Sequence, residues 1–380
     1  MRFRDTTEDR RVHEREQAAF IPSACPNDEC PSVASGKFRW VRHGWHETQR
    51  APFRVRRFRC KDCLRAFSTQ TFHVSYWQKR PELDQSIFFS ARGCSGNRQI
   101  AIALGCGKST VAEKISRLAR GALRFHVDAL SKAAKLGGDS LFDGLGTFEN
   151  SQYTPFWLNL GVHRDTSFLF GFTDSPLRRS GTMRPAQRRK RARLEARFGR
   201  PNPRAIEDGT TELLAAMKPF LNLSTTRFVT DRHMAYPRAL RRAGLDELEH
   251  VRIPGSDQRT PMNPLFEINL ADMTIRHGNS SQKRETIAFN KRRQAGLERA
   301  WLWLMYRNYM ASRRVKWKNG PSPAMLAGVA SRRLTFNDIF EERILPRRVA
   351  LPAPWQRQAL RQVQTPAVGN NRIHDAVFCT

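Results

Sequence analysis

Two pairs of cysteines near the N-terminus constrain this chain more than any other feature. Four residues separate Cys25 from Cys30, and two separate Cys60 from Cys63. A short turn of this kind aims two thiolates at one point, and two such turns supply the four ligands of a tetrahedral Zn²⁺ site. Phe38, Trp40, Val41, Phe53, Val55 and Phe58 lie between the pairs and predict a hairpin. A unit this small draws folding energy from its metal. A second ligand set is open: Cys30 and His43 have the spacing of a C₂H₂ finger. However, His43 and His46 stand one residue too close for it, and it leaves Cys60 and Cys63 unexplained. Cys94, Cys106 and Cys379 have no partner at ligand spacing.

The partner class follows from charge. Sixty-six Lys and Arg against 35 Asp and Glu give a formal net charge of +31. That excess calls for a polyanion, and nucleic acid is the first candidate. No apolar run reaches the roughly 18 residues a membrane span needs. The charged start Met1-Arg2-Phe3-Arg4 leads into no apolar signal segment. The expectation is therefore a cytoplasmic protein, nucleoid-associated when bound to DNA, with no membrane partner.

At 380 residues the chain is long enough for two or three domains. Residues 1–20 read as a flexible basic arm and 21–77 as a zinc ribbon. Residues 80–130 read as helices, and 138–315 as alternating strands and helices. Within the latter, a basic stretch at 176–206 contains Arg188, Arg189, Lys190 and Arg191. A long helical stretch is expected from about 284 to 312, with Trp301, Trp303 and Tyr306 as packing residues. Residues 316–380 carry several prolines and read as a loosely packed extension.

Gly105-Cys-Gly-Lys-Ser-Thr110 imitates a phosphate-binding loop, but the glycine that loop needs five residues earlier is Ile102. A helix-turn-helix accounts for the segment better. Ala101 is small where two helices cross, Gly105 falls at the turn, and Val111 anchors the second helix, with Ile100, Leu104 and Ile115 around it. Lys108, Ser109 and Thr110 would then face a major groove.

Two acids sit at or just after short apolar strands: Asp143 in Ser140-Leu-Phe-Asp-Gly-Leu-Gly-Thr147-Phe148, and Asp231 in Arg227-Phe-Val-Thr-Asp-Arg-His-Met-Ala-Tyr236. Acids on adjacent strands can share a site, as in RNase H-like folds that gather carboxylates around two Mg²⁺ ions.

With these motifs in this order, the chain resembles bacterial insertion-sequence transposases of the DDE type. Asp143 is followed at the expected offsets by Thr147 and Phe148. Thr230-Asp231 leads to Tyr236, and Arg284-Glu-Thr286-Ile-Ala-Phe289-Asn290-Lys291 is similar to the family's late signature. Phe58-Arg-Cys60-Lys-Asp-Cys63-Leu-Arg-Ala-Phe67 is similar to the close of its zinc ribbon. The resemblance covers roughly residues 25–330. It implies an α+β multidomain chain: zinc ribbon, helix-turn-helix, and an RNase H-like α/β catalytic domain whose mixed sheet is flanked by helices. It implies structural Zn²⁺, catalytic Mg²⁺ or Mn²⁺, and double-stranded DNA as partner, both element ends and target. A homodimer or higher oligomer would pair two ends. Asp143, Asp231 and a third acid would bind the catalytic ions. Related enzymes place a Glu on a helix, an Asn one turn on and an Arg after that. Here Asn269, Asp272 and Arg276 share one helical face with acid and amide exchanged, so the third acid is Asp272 or Glu285, with Glu267 off that face. Arg276, Arg284 and Lys291 would join the basic stretch in contacting DNA. Three other readings stay open: a zinc-containing DNA-binding regulator, an RNase H-like nuclease that cuts DNA without strand transfer, and a catalytically inactive, domesticated transposase.

Overall fold

A computed structural model describes residues 7–48, 52–71, 73–283, 286–345 and 348–369 of the chain. The described part of the N-terminal arm is a helix. Helix α1 (Thr7–Ala19) lies along the cysteine-rich unit, where Gln17 hydrogen-bonds Thr69 and Glu14 pairs with Arg54 at 3.2 Å. These long-range anchors order a segment whose own polar composition gives no reason to pack.

The cysteine-rich unit contains α2 (Pro31–Ser35) and three antiparallel strands, β1 (Trp40–Glu47), β2 (Arg54–Cys60) and β3 (Ala66–Ser68). Its apolar centre is small. Phe58 is buried, with Trp40, Phe67 and Phe20 rings 5.3, 5.6 and 5.9 Å away.

Three helices follow: α3 (Asp84–Arg92), α4 (Asn97–Ala103) and α5 (Lys108–Lys132). Gly105 turns the chain between α4 and α5 at φ +58°, a left-handed conformation that suits glycine. Ile100, Ala101, Val111 and Ile115 are buried where the two helices cross.

The main sheet has five strands: β4 (Leu136–Phe148), β5 (Pro155–His163), β6 (Phe168–Pro176), β7 (Leu221–Asp231) and β8 (His250–Ile253). Their spatial order is β6-β5-β4-β7-β8. The first three form an antiparallel meander, while β7 runs parallel to β4 and β8 parallel to β7. Between β6 and β7 come α6 (Pro185–Phe198) and α7 (Ala205–Met217), and α8 (Ala235–Arg242) joins β7 to β8. After the sheet come α9 (Phe266–Gly278) and α10 (Arg293–Met305), then short helices α11 (Pro323–Leu326), α12 (Phe336–Phe340) and α13 (Ala353–Ala359). Helix α10 starts later than the expected long helix, and its last turn widens to a π-helix over Tyr306–Met310. Successive strand residues face opposite ways. On β6, the Phe172 ring meets Trp301 of α10 at 4.6 Å, while the hydroxyl of the next residue, Thr173, donates to the Gly209 carbonyl of α7 at 2.6 Å. Helices therefore cover both faces.

One apolar core runs from Val74 to Ala359. Helix α5 belongs both to the helical region and to the sheet's cover. Its Ser116 hydroxyl donates to Glu298 at 2.9 Å, and its His126 bridges the Phe170 carbonyl and the Tyr309 hydroxyl, both at 2.9 Å. Trp301 and Trp303 are buried packing residues, as expected. The C-terminal extension is tighter than expected. Phe336, Ile339, Phe340 and Trp355 are buried, and Trp355 donates to the Phe172 carbonyl at 3.0 Å. Arg348 reaches back to the Cys25 carbonyl at 2.7 Å. Pro323 and Pro354 sit in the first turns of α11 and α13, where proline is tolerated, and the aromatic residues fill the seam. Among the described residues no helix is long and apolar enough to cross a membrane.

Candidate functional site

The four paired cysteines converge. The Cys25 and Cys63 sulfurs stand 3.5 Å apart and the Cys30 and Cys60 sulfurs 3.6 Å, and all four lie within 4.8 Å of one another. Tetrahedral Zn–S bonds of about 2.3 Å place sulfurs about 3.8 Å apart, so the cluster can hold zinc with little adjustment. Burial pushes the Cys25 and Cys60 thiols up, a cost that a bound cation would offset. His43 and His46 are exposed on β1, away from the cluster, which closes the C₂H₂ alternative.

The acids meet by a different route. In the parallel pair β4–β7, Leu141 is registered with Val229 and Phe142 with Thr230. Asp143 and Asp231 are the next residue on each strand, on neighbouring strands about 4.8 Å apart. Asp143 accepts from the Gly144 amide at 2.7 Å, and Asp231 from the His233 amide at 2.8 Å. Helix α9 lies against β4, and Arg276 ties the two by donating to the Gly146 carbonyl at 3.0 Å. The same helix carries Asp272, whose buried Oδ1 has no hydrogen-bond partner.

Electrostatics ties these residues into one site. Burial pushes the Asp143 carboxyl up to about 6, and the charge of Asp231 adds to it. Burial pushes Asp272 up to about 8, with Asp143 adding to it. Tyr236, buried on α8, is raised by burial and by the charges of Asp143, Asp231 and Asp272. Arg259, exposed in the segment between β8 and α9, pulls both Asp143 and Asp272 down. Among the described residues only the cysteines form a group of metal-ligating side chains all within 4.8 Å of one another, so the three aspartates are spread more widely than that.

The other expected contacts divide. Lys108 and Ser109 are exposed at the start of α5, with Thr110 half-buried beside them. Arg188, Arg189 and Lys190 are exposed on α6, no residue of which is buried. Arg191 is not a free phosphate contact: it donates to the Arg179 carbonyl at 2.8 Å and pairs with Glu195. Arg276 is likewise engaged, with the Gly146 and Gln282 carbonyls, because α9 packs its basic last turn onto the sheet. Lys291 is exposed, its ammonium 3.6 Å from the Phe289 ring centroid, and Phe289 in turn packs on Phe148 at the end of β4. Arg284 and Glu285 lie outside the described residues. Glu267 is engaged elsewhere, paired with Arg313 at 3.2 Å.

Three neighbours of the aspartates escaped the sequence reading: Arg259, His233 and Trp157. The Trp157 ring stands 5.8 Å from His233. A Cβ on Gly144 would sit 2.2 Å from the Trp157 indole, so only glycine fits beside Asp143. The signal was present, since a glycine inside a strand marks a close approach. Comparison with known protein families and with curated proteins finds no match.

Proposed function

We propose that this chain is a DNA transposase of the DDE type, which binds the ends of an insertion element and cleaves and joins DNA strands. One observation carries the reading: Asp143 and Asp231 on the adjacent strands β4 and β7 and Asp272 on the helix packed against β4 lie far apart in sequence yet feel one another's charge, in a chain of net charge +31. A carboxylate cluster this buried repels itself and calls for cations. The strand order β6-β5-β4-β7-β8, three antiparallel strands followed by two parallel ones, supports an RNase H-like domain.

The donor set fits divalent metal. Asp272 presents an unpaired buried oxygen, and all three ligands are hard carboxylates suited to Mg²⁺ or Mn²⁺. Asp143 would take the central position, with Asp231 and Asp272 on either side. The ions, when bound, supply a stronger oxygen nucleophile and charge stabilisation at the leaving oxygen. The chain's own part is placement. The β4–β7 register sets Asp143 beside Asp231, and the Arg276 tether sets the height of Asp272 over β4. Arg259, whose charge reaches Asp143 and Asp272, would meet a phosphate approaching the carboxylates. The cysteine-rich unit would serve as a zinc ribbon and α4–α5 as a helix-turn-helix presenting Lys108, Ser109 and Thr110. Arg188, Arg189 and Lys190 would follow the phosphate backbone. Pairing two DNA ends requires at least a dimer.

The test is a nicking and strand-transfer assay with Mg²⁺ or Mn²⁺ on the DNA flanking the gene. It compares wild type with Asp143→Ala, Asp231→Ala, Asp272→Ala and Glu285→Ala. Metal-dependent joining that is lost in the first two variants and in one of the last two supports the proposal and names the third acid. DNA binding without cleavage by the wild type refutes it in favour of a regulator or an inactive transposase.

A further inference from the structure

A cavity of about 250 Å³ lies beneath the basic helix α6, away from the aspartates. Its lining includes Glu149, six residues along the chain from Asp143 and so up to about 20 Å away at ordinary strand rise. Leu177, Leu194 and Phe198 give the cavity an apolar lining. The lining also carries guanidinium groups with buried N–H donors that make no hydrogen bond: NH1 of Arg179 and Nε of Arg293.

The arginines of the lining are held in place by their other bonds. Arg293 donates to Asp174 and to the Gln364 carbonyl, both at 3.0 Å. Arg191 donates to the Arg179 carbonyl at 2.8 Å, and its Nε stands 3.4 Å from Glu195 without hydrogen-bonding geometry. Arg179 lies over the Tyr153 ring at 4.6 Å. Glu195 is already bound by Arg178 through both carboxylate oxygens, at 2.8 and 3.1 Å. Five arginines and two glutamates line the cavity, leaving it positive.

Leaving buried donors unpaired costs free energy, so the cavity is built for a ligand that supplies acceptors. Bare phosphate would leave the apolar lining unused, and an apolar ligand would leave the donors unpaired. A nucleotide satisfies both. We infer that this cavity receives one unpaired nucleotide, its base against Leu177, Leu194 and Phe198 and its phosphate on Arg179 and Arg293. The exposed Arg188, Arg189 and Lys190 on the same helix would bring a DNA strand to the opening, so the preferred source is a nucleotide extruded from bound DNA. That choice of source rests on the DNA-handling reading; the cavity itself does not.

The experiment measures binding by fluorescence anisotropy to a blunt duplex and to the same duplex with one unpaired adenine. Free dAMP and inorganic phosphate are measured separately by calorimetry. Leu194→Trp fills the cavity without changing charge, and Arg179→Gln removes a donor without filling it. Wild type should favour the bulged duplex about tenfold, the scale of one base contact. Both variants should lose that preference and keep the affinity for blunt duplex. If neither duplex binds but dAMP does, more tightly than phosphate and only with Leu194 intact, the cavity is a free-nucleotide site and the DNA reading fails instead. A wild type with no preference for the bulge and no binding of dAMP overturns the inference, as does a Leu194→Trp variant that keeps the preference.

Discussion

Asp272→Asn should stabilise the magnesium-free protein. The carboxyl rises from its ordinary 3.8 to about 8 because it is buried and faces Asp143. Because the folded-state value lies above the unfolded one, its stabilising share is complete below about pH 4 and is lost as the pH rises toward 8. At about 1.36 kcal/mol per unit, holding this group in the fold at pH 7 costs up to about 4 kcal/mol. Asparagine keeps the shape and removes the charge. The entropy of unfolding is about 2.1 cal/mol/K per residue, so over this chain that gain corresponds to a rise in melting temperature of about 5 °C. The assay is thermal unfolding from pH 5 to pH 8 in magnesium-free buffer, with zinc retained. Wild type should lose stability across the whole window, while the fall in Asp272→Asn should be smaller and largely complete by about pH 6, where Asp143 titrates. Adding Mg²⁺ should raise the melting temperature of wild type at pH 8 and leave the variant little changed. A variant no more stable than wild type at pH 8, or a wild type whose stability does not fall between pH 5 and 8, would refute the placement of Asp272 among buried like charges.

Other outcomes follow from the same geometry. Purified protein should carry about one zinc per chain by elemental analysis, and Cys60→Ser should lose it and expose residues 21–77 to protease. Gly144→Ala drives a methyl into the Trp157 indole; it should cost about 1–3 kcal/mol by denaturant titration and shift tryptophan fluorescence. Replacing Arg188, Arg189 and Lys190 together by Ala should leave the melting temperature unchanged, since none is buried. It should also reduce the salt dependence of DNA affinity by up to about 3 in the log–log slope, and an unchanged slope would remove α6 from the DNA contacts.

What the sequence by itself determined is whatever short-range spacing controls. The cysteine pairs converge because each pair is set by its own turn, and the turn at Gly105 with its buried Ala101 and Val111 follows from one local pattern. Asn269, Asp272 and Arg276 share a helical face by the same arithmetic of offsets, and α9 carries all three. The tertiary structure alone decided what depends on contacts between distant segments. Helix α1 is ordered by Thr69 and Arg54, some 40 to 50 residues away in sequence. The C-terminal extension packs because Trp355 finds the Phe172 carbonyl and Trp301, which no local pattern reveals. Arg191 and Arg276 look from the sequence like free cations, yet each is bound to protein groups, because packing brought acceptors within reach before any ligand could. Arg259 and Trp157 become neighbours of the aspartates only when the sheet brings five strands together. Charge and spacing identify which residues are able to do chemistry, whereas burial and register decide which of them share a site, since both are properties of the whole folded chain.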